Sequence, residues 1–444
     1  MSHWVKYEAG SAVQMANKLV TGLKAAGRED LVLLSQGAEE TAPDNISPGR
    51  KVVVSFDTGY QKDAGGTPAQ REVMANFLNA CLGYGVAKPS NTFTFFQNGR
   101  TGLYNALLWA ATPHIKAGIK PGIAVGNLSW PMVEDLAGDA FYAQNFHYDL
   151  RRGGFGEELE RTIERHKLDN GHRDSVALAA VYSNYPNNPT GLYGTTAEIA
   201  RAYDVLDRIN TWRRDVNMPL ITHIADNPYF AGLPGKDSGA FLQSPYEGVV
   251  KPNGPTPTIL VTSFAKALGF ATPGVHAMTF SDDAMAKQFE NWAKSKAGFS
   301  YFPQAMEHVT AMLQPWKYDG LREHFGAMAA KYGRNHAILN AALPGMLLDG
   351  DPGMVCTMEI PADALGKTVT GHDGERHEIR TGRDVAEYAA NMHGVVAVDQ
   401  SVSVDGVEDP LIRFALKTAD EPAMRRGAEG YAAAIQELRA APGL

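Results

Sequence analysis

The residue best placed to do chemistry in this chain is Lys266. It stands just past the apolar run TILVTS, three residues after Ser263. A lysine held in a desolvated pocket at such a strand end has a lowered pKa and becomes a competent nucleophile toward a carbonyl. Taken alone the signal is weak, because a lysine at a strand end is usually a solvated surface residue and Ser-x-x-Lys spacing arises often by chance. The run LITHIAD ends at Asp226, followed by Asn227, Pro228 and Tyr229. An aspartate before Asn-Pro is by default a turn or cap residue; the alternative is a carboxylate that pairs with a protonated ring nitrogen.

Three further strand ends carry unusual sequence. ALAAVY is followed by SNYPNNPTG, Ser183 to Gly191, whose doubled Asn-Pro is more than a turn requires. TFTFF leads into QNGRTGLYNALLWA, where Gly99 to Gly102 precede a helical pattern of Leu103, Ala106, Leu107 and Ala110. A glycine-flanked helix start exposes free N–H groups and the positive end of the helix dipole, which suits an anion; a plain turn is the other reading. GIAVGN is followed by Leu128, Ser129, Trp130 and Pro131, which puts a large aromatic side chain in a strand-end loop or in the core.

These residues need elements to bring them together. From about Ser90 to Phe280 short apolar runs (NTFTFF, GIAVGN, ALAAVY, LITHIA, TILVTS, VHAMTF) alternate with amphipathic stretches. Runs of that length between helical segments predict an α/β domain with a mostly parallel sheet flanked by helices. Ligands of such sheets bind beyond the carboxyl ends of the strands, where the residues above fall. A helical face of Val13, Ala16, Leu19, Val20 and Leu23 predicts a helix over about Gly10 to Lys24. After about residue 315 a helix-rich stretch and strand signals at GMLLDG, MVCTMEI, VVAVDQ and LIRFAL predict a smaller α+β domain. The division is therefore 1–49 for an N-terminal arm and part of the small domain, 50–315 for the large domain and 316–444 for the C-terminal small domain. VTGHDGERHEI reads as a hairpin turning at Asp373-Gly374, with His372 and His377 as solvated histidines and no metal site.

Composition narrows the function. The 444 residues carry 41 Lys+Arg against 49 Asp+Glu, a formal charge of -8 with no block of like charges, which argues against nucleic-acid or membrane-surface binding and for small-molecule substrates. Cys81 and Cys356 are too few for a disulfide framework or a cysteine zinc site. The N-terminal sequence lacks the apolar core of a signal peptide, and no window has about 18 uncharged apolar residues. A cytoplasmic location is the expectation. No G-x-G-x-x-G follows a strand and no G-x-x-x-x-G-K-[ST] occurs, so a nucleotide-binding loop lacks support.

In this order the strand-end residues resemble the class I/II aminotransferases of pyridoxal-phosphate fold type I, the aspartate and aromatic aminotransferase group in particular, over roughly Ser35 to Leu416. SNYPNNPTG and TSFAKALG carry the resemblance most strongly. It implies that Lys266 forms a Schiff base with pyridoxal 5'-phosphate and shuttles a proton, and that Asp226 pairs with the pyridine nitrogen. Asn188 and Tyr229 would bond the ring's phenolic oxygen, and Trp130 would stack on the ring. Gly99, Arg100, Thr101 and Ser263 would hold the phosphate. LIRFAL implies that Arg413 grips the substrate α-carboxylate, with Gly37 allowing backbone approach to it. Tyr60 would reach the phosphate of the neighbouring subunit in a homodimer, and Lys296 stands where the family supplies a distal-carboxylate arginine.

Two departures stand out. Gly274 occupies the place of the family's phosphate-clamping arginine, leaving Arg100, and second His276, to supply that contact. Lys296 lacks the planar fork of an arginine, which argues against plain aspartate or glutamate specificity. The resemblance thus implies an aminotransferase acting on an amino acid and a 2-oxo acid, the alternative being a lyase, replacement or cyclising enzyme on the same cofactor.

Overall fold

Seven strands of the larger of two units carry the predicted strand ends on one sheet. The structure is a computed structural model that describes residues 4–8, 12–35, 65–95, 99–130, 132–151, 153–168, 176–235, 241–268, 274–292, 303–348, 353–404, 407–417 and 420–444. The larger unit is Ala38–Asn187 with Tyr193–Ala327; the smaller is Met1–Gly37, Asn188–Leu192 and Met328–Leu444. In the larger unit the strand order is Thr92–Phe95, His276–Phe280, Thr258–Ser263, Thr222–Asp226, Val176–Asn184, Lys120–Gly126, Gln144–Tyr148. Only His276–Phe280 runs against its neighbours; every other pair is parallel.

The central strands are buried on both faces, which is why their sequences read as unbroken apolar runs rather than alternating ones. On one face Leu103, Leu107 and Ala111 of the helix Gly99–Lys116 pack with Ile123, Val125, Ile224, Ile259, Val261 and Met278. The strand Gln144–Tyr148 is absent from the sequence reading. As an edge strand paired only with Lys120–Gly126 it exposes Gln144 and His147 and buries Phe146 and Tyr148, so its sequence QNFHY lacks an apolar run.

In the smaller unit the first helix spans Ala12–Ala25. It sinks Ala16, Leu19 and Leu23 against Ala390, Val396 and Val398 of this unit. Val32–Leu33 pairs in parallel with Val395–Val396, and Leu411–Ala415 lies antiparallel between Val398–Asp399 and Val355–Glu359. Asn188–Leu192, placed by the sequence within the large domain, joins this unit, where Thr357 Oγ1 donates to Pro189 O at 2.8 Å. The hairpin pairs Lys367–Thr370 with Arg376–Ile379, and Gly374 alone takes the positive φ. Its histidines are not solvated as expected. Trp4 stacks on His377 with ring centroids 3.9 Å apart, and Asp373 Oδ1 lies 3.1 Å from His377 Nε2.

Candidate active site

Asp226 ends its strand between Asn184 and Val261 on the adjacent strands, and its side chain is buried. Its Oδ2 accepts a 2.9 Å hydrogen bond from the Tyr182 hydroxyl. Burial pushes the carboxyl up to about 7, opposed by the bonds from Tyr182 and the Asn227 N–H, which stabilise the ionised form. Among the described residues no charged side chain is a cause of the shift. Asn227 Nδ2 in turn donates to Tyr84 OH at 3.1 Å, and that hydroxyl lies 3.0 Å from Thr262 Oγ1, which ties this loop to the neighbouring strand. Tyr229, two residues on, is also buried.

Lys266 lies half-buried in a turn that begins where the strand Thr258–Ser263 ends. Phe264 anchors that turn, its buried ring 5.8 Å from Phe77 and 5.6 Å from Phe230. Leu268 N closes the turn on Phe264 O at 3.1 Å.

The antiparallel strand brings His276 to the same end of the sheet, in register with Ser263 on one side and Phe95 on the other. The helix Gly99–Lys116 comes down directly onto this pair. A Cβ on Gly99 would lie 3.2 Å from Ser263 Cβ, and one on Gly102 would lie 2.6 Å from His276 Nε2. Two glycines on one helical face therefore let the helix start sit against Ser263 and His276 with its N–H groups at the strand ends, a cradle suited to an anion. Thr101 is half-buried in the same turn, and Arg100 is exposed with its guanidinium 5.6 Å from the Trp130 ring. Trp130 packs partly against the core, so neither sequence alternative for it is complete. Its loop is fixed by Asn127, which donates to Asp149 Oδ1 at 2.8 Å and accepts from Leu150 N at 3.2 Å. At Gly274 φ is +76°, a left-handed conformation that costs an L side chain roughly 1–2 kcal/mol, so an arginine is disfavoured there on backbone grounds.

In the smaller unit Arg413 is buried in the middle of its strand, opposite Val398 and Thr357. Its Nη1 donates to Asn188 Oδ1 at 2.9 Å and its Nη2 to Ser35 O at 3.3 Å. Asn188 and Arg413, far apart in sequence, are thus direct partners. Gly37, Tyr60 and Lys296 lie outside the described residues, as does the linker around Asp44 to Gly49. Among the described residues no group of three His, Cys, Asp or Glu side chains is placed to hold a metal ion, and no helix is long and apolar enough to cross a membrane.

The sequence reading passed over Tyr182, which it took as the end of the apolar run ALAAVY. The signal was available: a tyrosine in a strand buried on both faces must find a partner for its hydroxyl.

No protein-family model matches the sequence, and a search of curated proteins gives no match. Solved structures do match along nearly the whole chain. An aspartate aminotransferase from Rhizobium meliloti superposes with a TM-score of 0.69 at 16% identity, covering 97% of this chain and 99% of its own. A Thermus thermophilus aspartate aminotransferase mutant gives 0.67 at 17%, covering 96% and 97%. YbdL from Escherichia coli, described with a methionine aminotransferase function, gives 0.66 at 14%, covering 96% and 97%. At these identities the likeness establishes the fold.

Proposed function

We propose that this chain, which has the class I/II aminotransferase fold, is a pyridoxal-phosphate-dependent aminotransferase that moves an amino group between an amino acid and a 2-oxo acid. The observation that carries the reading is Asp226. A buried carboxylate with two hydrogen-bond donors and, among the described residues, no charged partner is costly, and the cost is recovered when a cationic ligand group pairs with it. A protonated pyridine nitrogen is such a group, and the nearby glycine cradle suits the phosphate of the same molecule.

The residues present fit the cofactor. Ser263, Gly99 and Thr101 would hold its phosphate, with Arg100 in place of the arginine that Gly274 excludes and His276 behind it. Asp226 would hold the ring nitrogen, Asn188 and Tyr229 the phenolic oxygen, and Trp130 the ring face. When bound, the protonated ring supplies an electron sink for the negative charge left on the substrate α-carbon. The chain's own work is positioning and proton transfer. Lys266 Nζ would anchor the cofactor and then carry the proton that leaves the substrate α-carbon to the cofactor carbon that keeps the amino group. Arg413, pre-oriented by Asn188, binds the α-carboxylate with two parallel hydrogen bonds. The unit of function is a homodimer, to which Tyr60 would contribute a phosphate contact across the interface, and Lys296 would offer a distal carboxylate a point charge without the two-point fork of an arginine.

Two variants test these assignments. Arg100→Ala is expected to weaken pyridoxal-phosphate binding roughly 10- to 100-fold, the worth of one charged hydrogen bond of about 1.5–3 kcal/mol. Equilibrium dialysis decides it, and wild-type affinity would move the role to His276. Arg413→Lys keeps the charge but loses the fork, so KM for the amino acid should rise roughly 10- to 100-fold with kcat changed much less. Steady-state kinetics with an unchanged KM would remove Arg413 from substrate binding.

A further inference from the structure

Tyr182 has no place in the assignments above, yet its hydroxyl makes a side-chain hydrogen bond to Asp226. It lies in the strand next to that of Asp226, with no exposed surface, and its hydroxyl donates to Asp226 Oδ2 at 2.9 Å. The strand is held locally, because the Tyr182 carbonyl accepts from Tyr148 OH at 2.6 Å. Burial and the Asp226 charge both push the Tyr182 phenol far above its ordinary value, so its proton stays in place and Tyr182 can only donate to the carboxylate.

We propose that Tyr182 is a positioning residue that favours the ionised form of the buried Asp226 carboxyl and turns it so that it can pair with a cationic ring nitrogen; this rests on the cofactor reading above. A purely structural pair would not require a carboxylate here, since an amide oxygen accepts the same bond without the cost of a buried charge. A carboxyl held by a phenol and a backbone N–H, with no cation set against it among the described residues, is a group suited to a cationic partner that arrives from outside. Among the described residues the titratable groups that act on it or on which it acts are Tyr182 and Tyr84. Losing one of the donors should therefore raise the pH at which Asp226 ionises.

The test is an infrared pH titration of the full chain freed of cofactor, with Asp226→Asn subtracted so that the remaining protonated-carboxyl band belongs to Asp226. Tyr182→Phe, which keeps the ring and its packing, should raise the midpoint by about one to two units. Tyr203→Phe removes a buried hydroxyl bonded to Thr258 and His223 but not to Asp226, and should leave the midpoint unchanged. An unmoved midpoint in Tyr182→Phe, or an equal shift in both variants, overturns the proposal. Should Tyr182→Phe fail to fold, ring-labelled tyrosine in the unsubstituted chain gives a second reading. A phenol C–O band must then change with the Asp226 midpoint and not in Asp226→Asn; its absence also overturns the assignment. Pyridoxal-phosphate affinity at pH 7.5 should fall about tenfold in Tyr182→Phe. If the unsubstituted chain binds no pyridoxal phosphate, the cofactor reading fails, whereas the infrared titration still judges the Tyr182–Asp226 pairing by itself.

Discussion

Lys266→Ala is expected to abolish amino-group transfer while leaving the fold intact. The proton-transfer role of the lysine alone accounts for a loss of roughly 10²- to 10⁴-fold, and loss of its covalent hold on the cofactor adds to that. The fold should survive because Lys266 is half-buried in a turn whose anchor is Phe264, packed between Phe77 and Phe230. The measurement is the rate of 2-oxo acid formation from an amino acid, together with the visible absorption of protein mixed with pyridoxal phosphate. Loss of both with an unchanged melting temperature is the predicted outcome. Retention of the absorption band in Lys266→Ala would place the reactive amine elsewhere.

Asp226→Asn should act in opposite directions on stability and on activity. Burial lifts the folded-state carboxyl from 3.8 to about 7, so between those values the native chain holds a proton that the unfolded chain has released. Stability of the cofactor-free protein contributed by this group therefore falls as pH rises from about 4 to 7. At about 1.4 kcal/mol per unit the full cost approaches roughly 4 kcal/mol. Asn carries no charge, so urea unfolding should find the cofactor-free variant increasingly more stable than the parent from pH 5 to pH 8. His223 contributes with the other sign. Burial lowers its folded value from 6.5 to about 3, so its share of stability is lost as pH falls below 6.5, equally in both proteins. With pyridoxal phosphate added the order should invert, because only the carboxylate gains a charged partner, and turnover should fall roughly 10²- to 10³-fold, the range for losing one preorganised electrostatic contact. A stability difference independent of pH would show that Asp226 ionises normally in the folded chain.

The sequence exposed most of this arrangement where a residue's role depends on its position at a strand end. Asp226, Ser263 and Lys266 stood out because they follow short, mostly apolar runs, so they fall at the carboxyl ends of strands. The glycines at 99 and 102 were legible as a helix start, and the resemblance named Ser263 and His276 beside them; the close approach of Gly102 to His276 needed the fold, because the His276 strand runs antiparallel, a direction that an apolar run does not encode. The pairing of Arg413 with Asn188 joins residues 225 apart and needs the tertiary fold. Tyr182 was hidden by its surroundings, since a tyrosine closing an aliphatic run reads as core until its hydroxyl is given a partner. The strand Gln144–Tyr148 was missed because an edge strand is polar on its open side.

The central claim is transamination, and one spectroscopic experiment addresses it directly. The purified chain is mixed with pyridoxal phosphate, challenged with a panel of amino acids and then with a 2-oxo acid. The account predicts a Lys266-dependent visible band that converts to bound pyridoxamine phosphate with at least one amino acid and returns on addition of the 2-oxo acid. Product release without pyridoxamine phosphate would contradict transamination and favour a lyase, replacement or cyclising reaction, and the absence of any Lys266-dependent band would contradict the cofactor assignment itself.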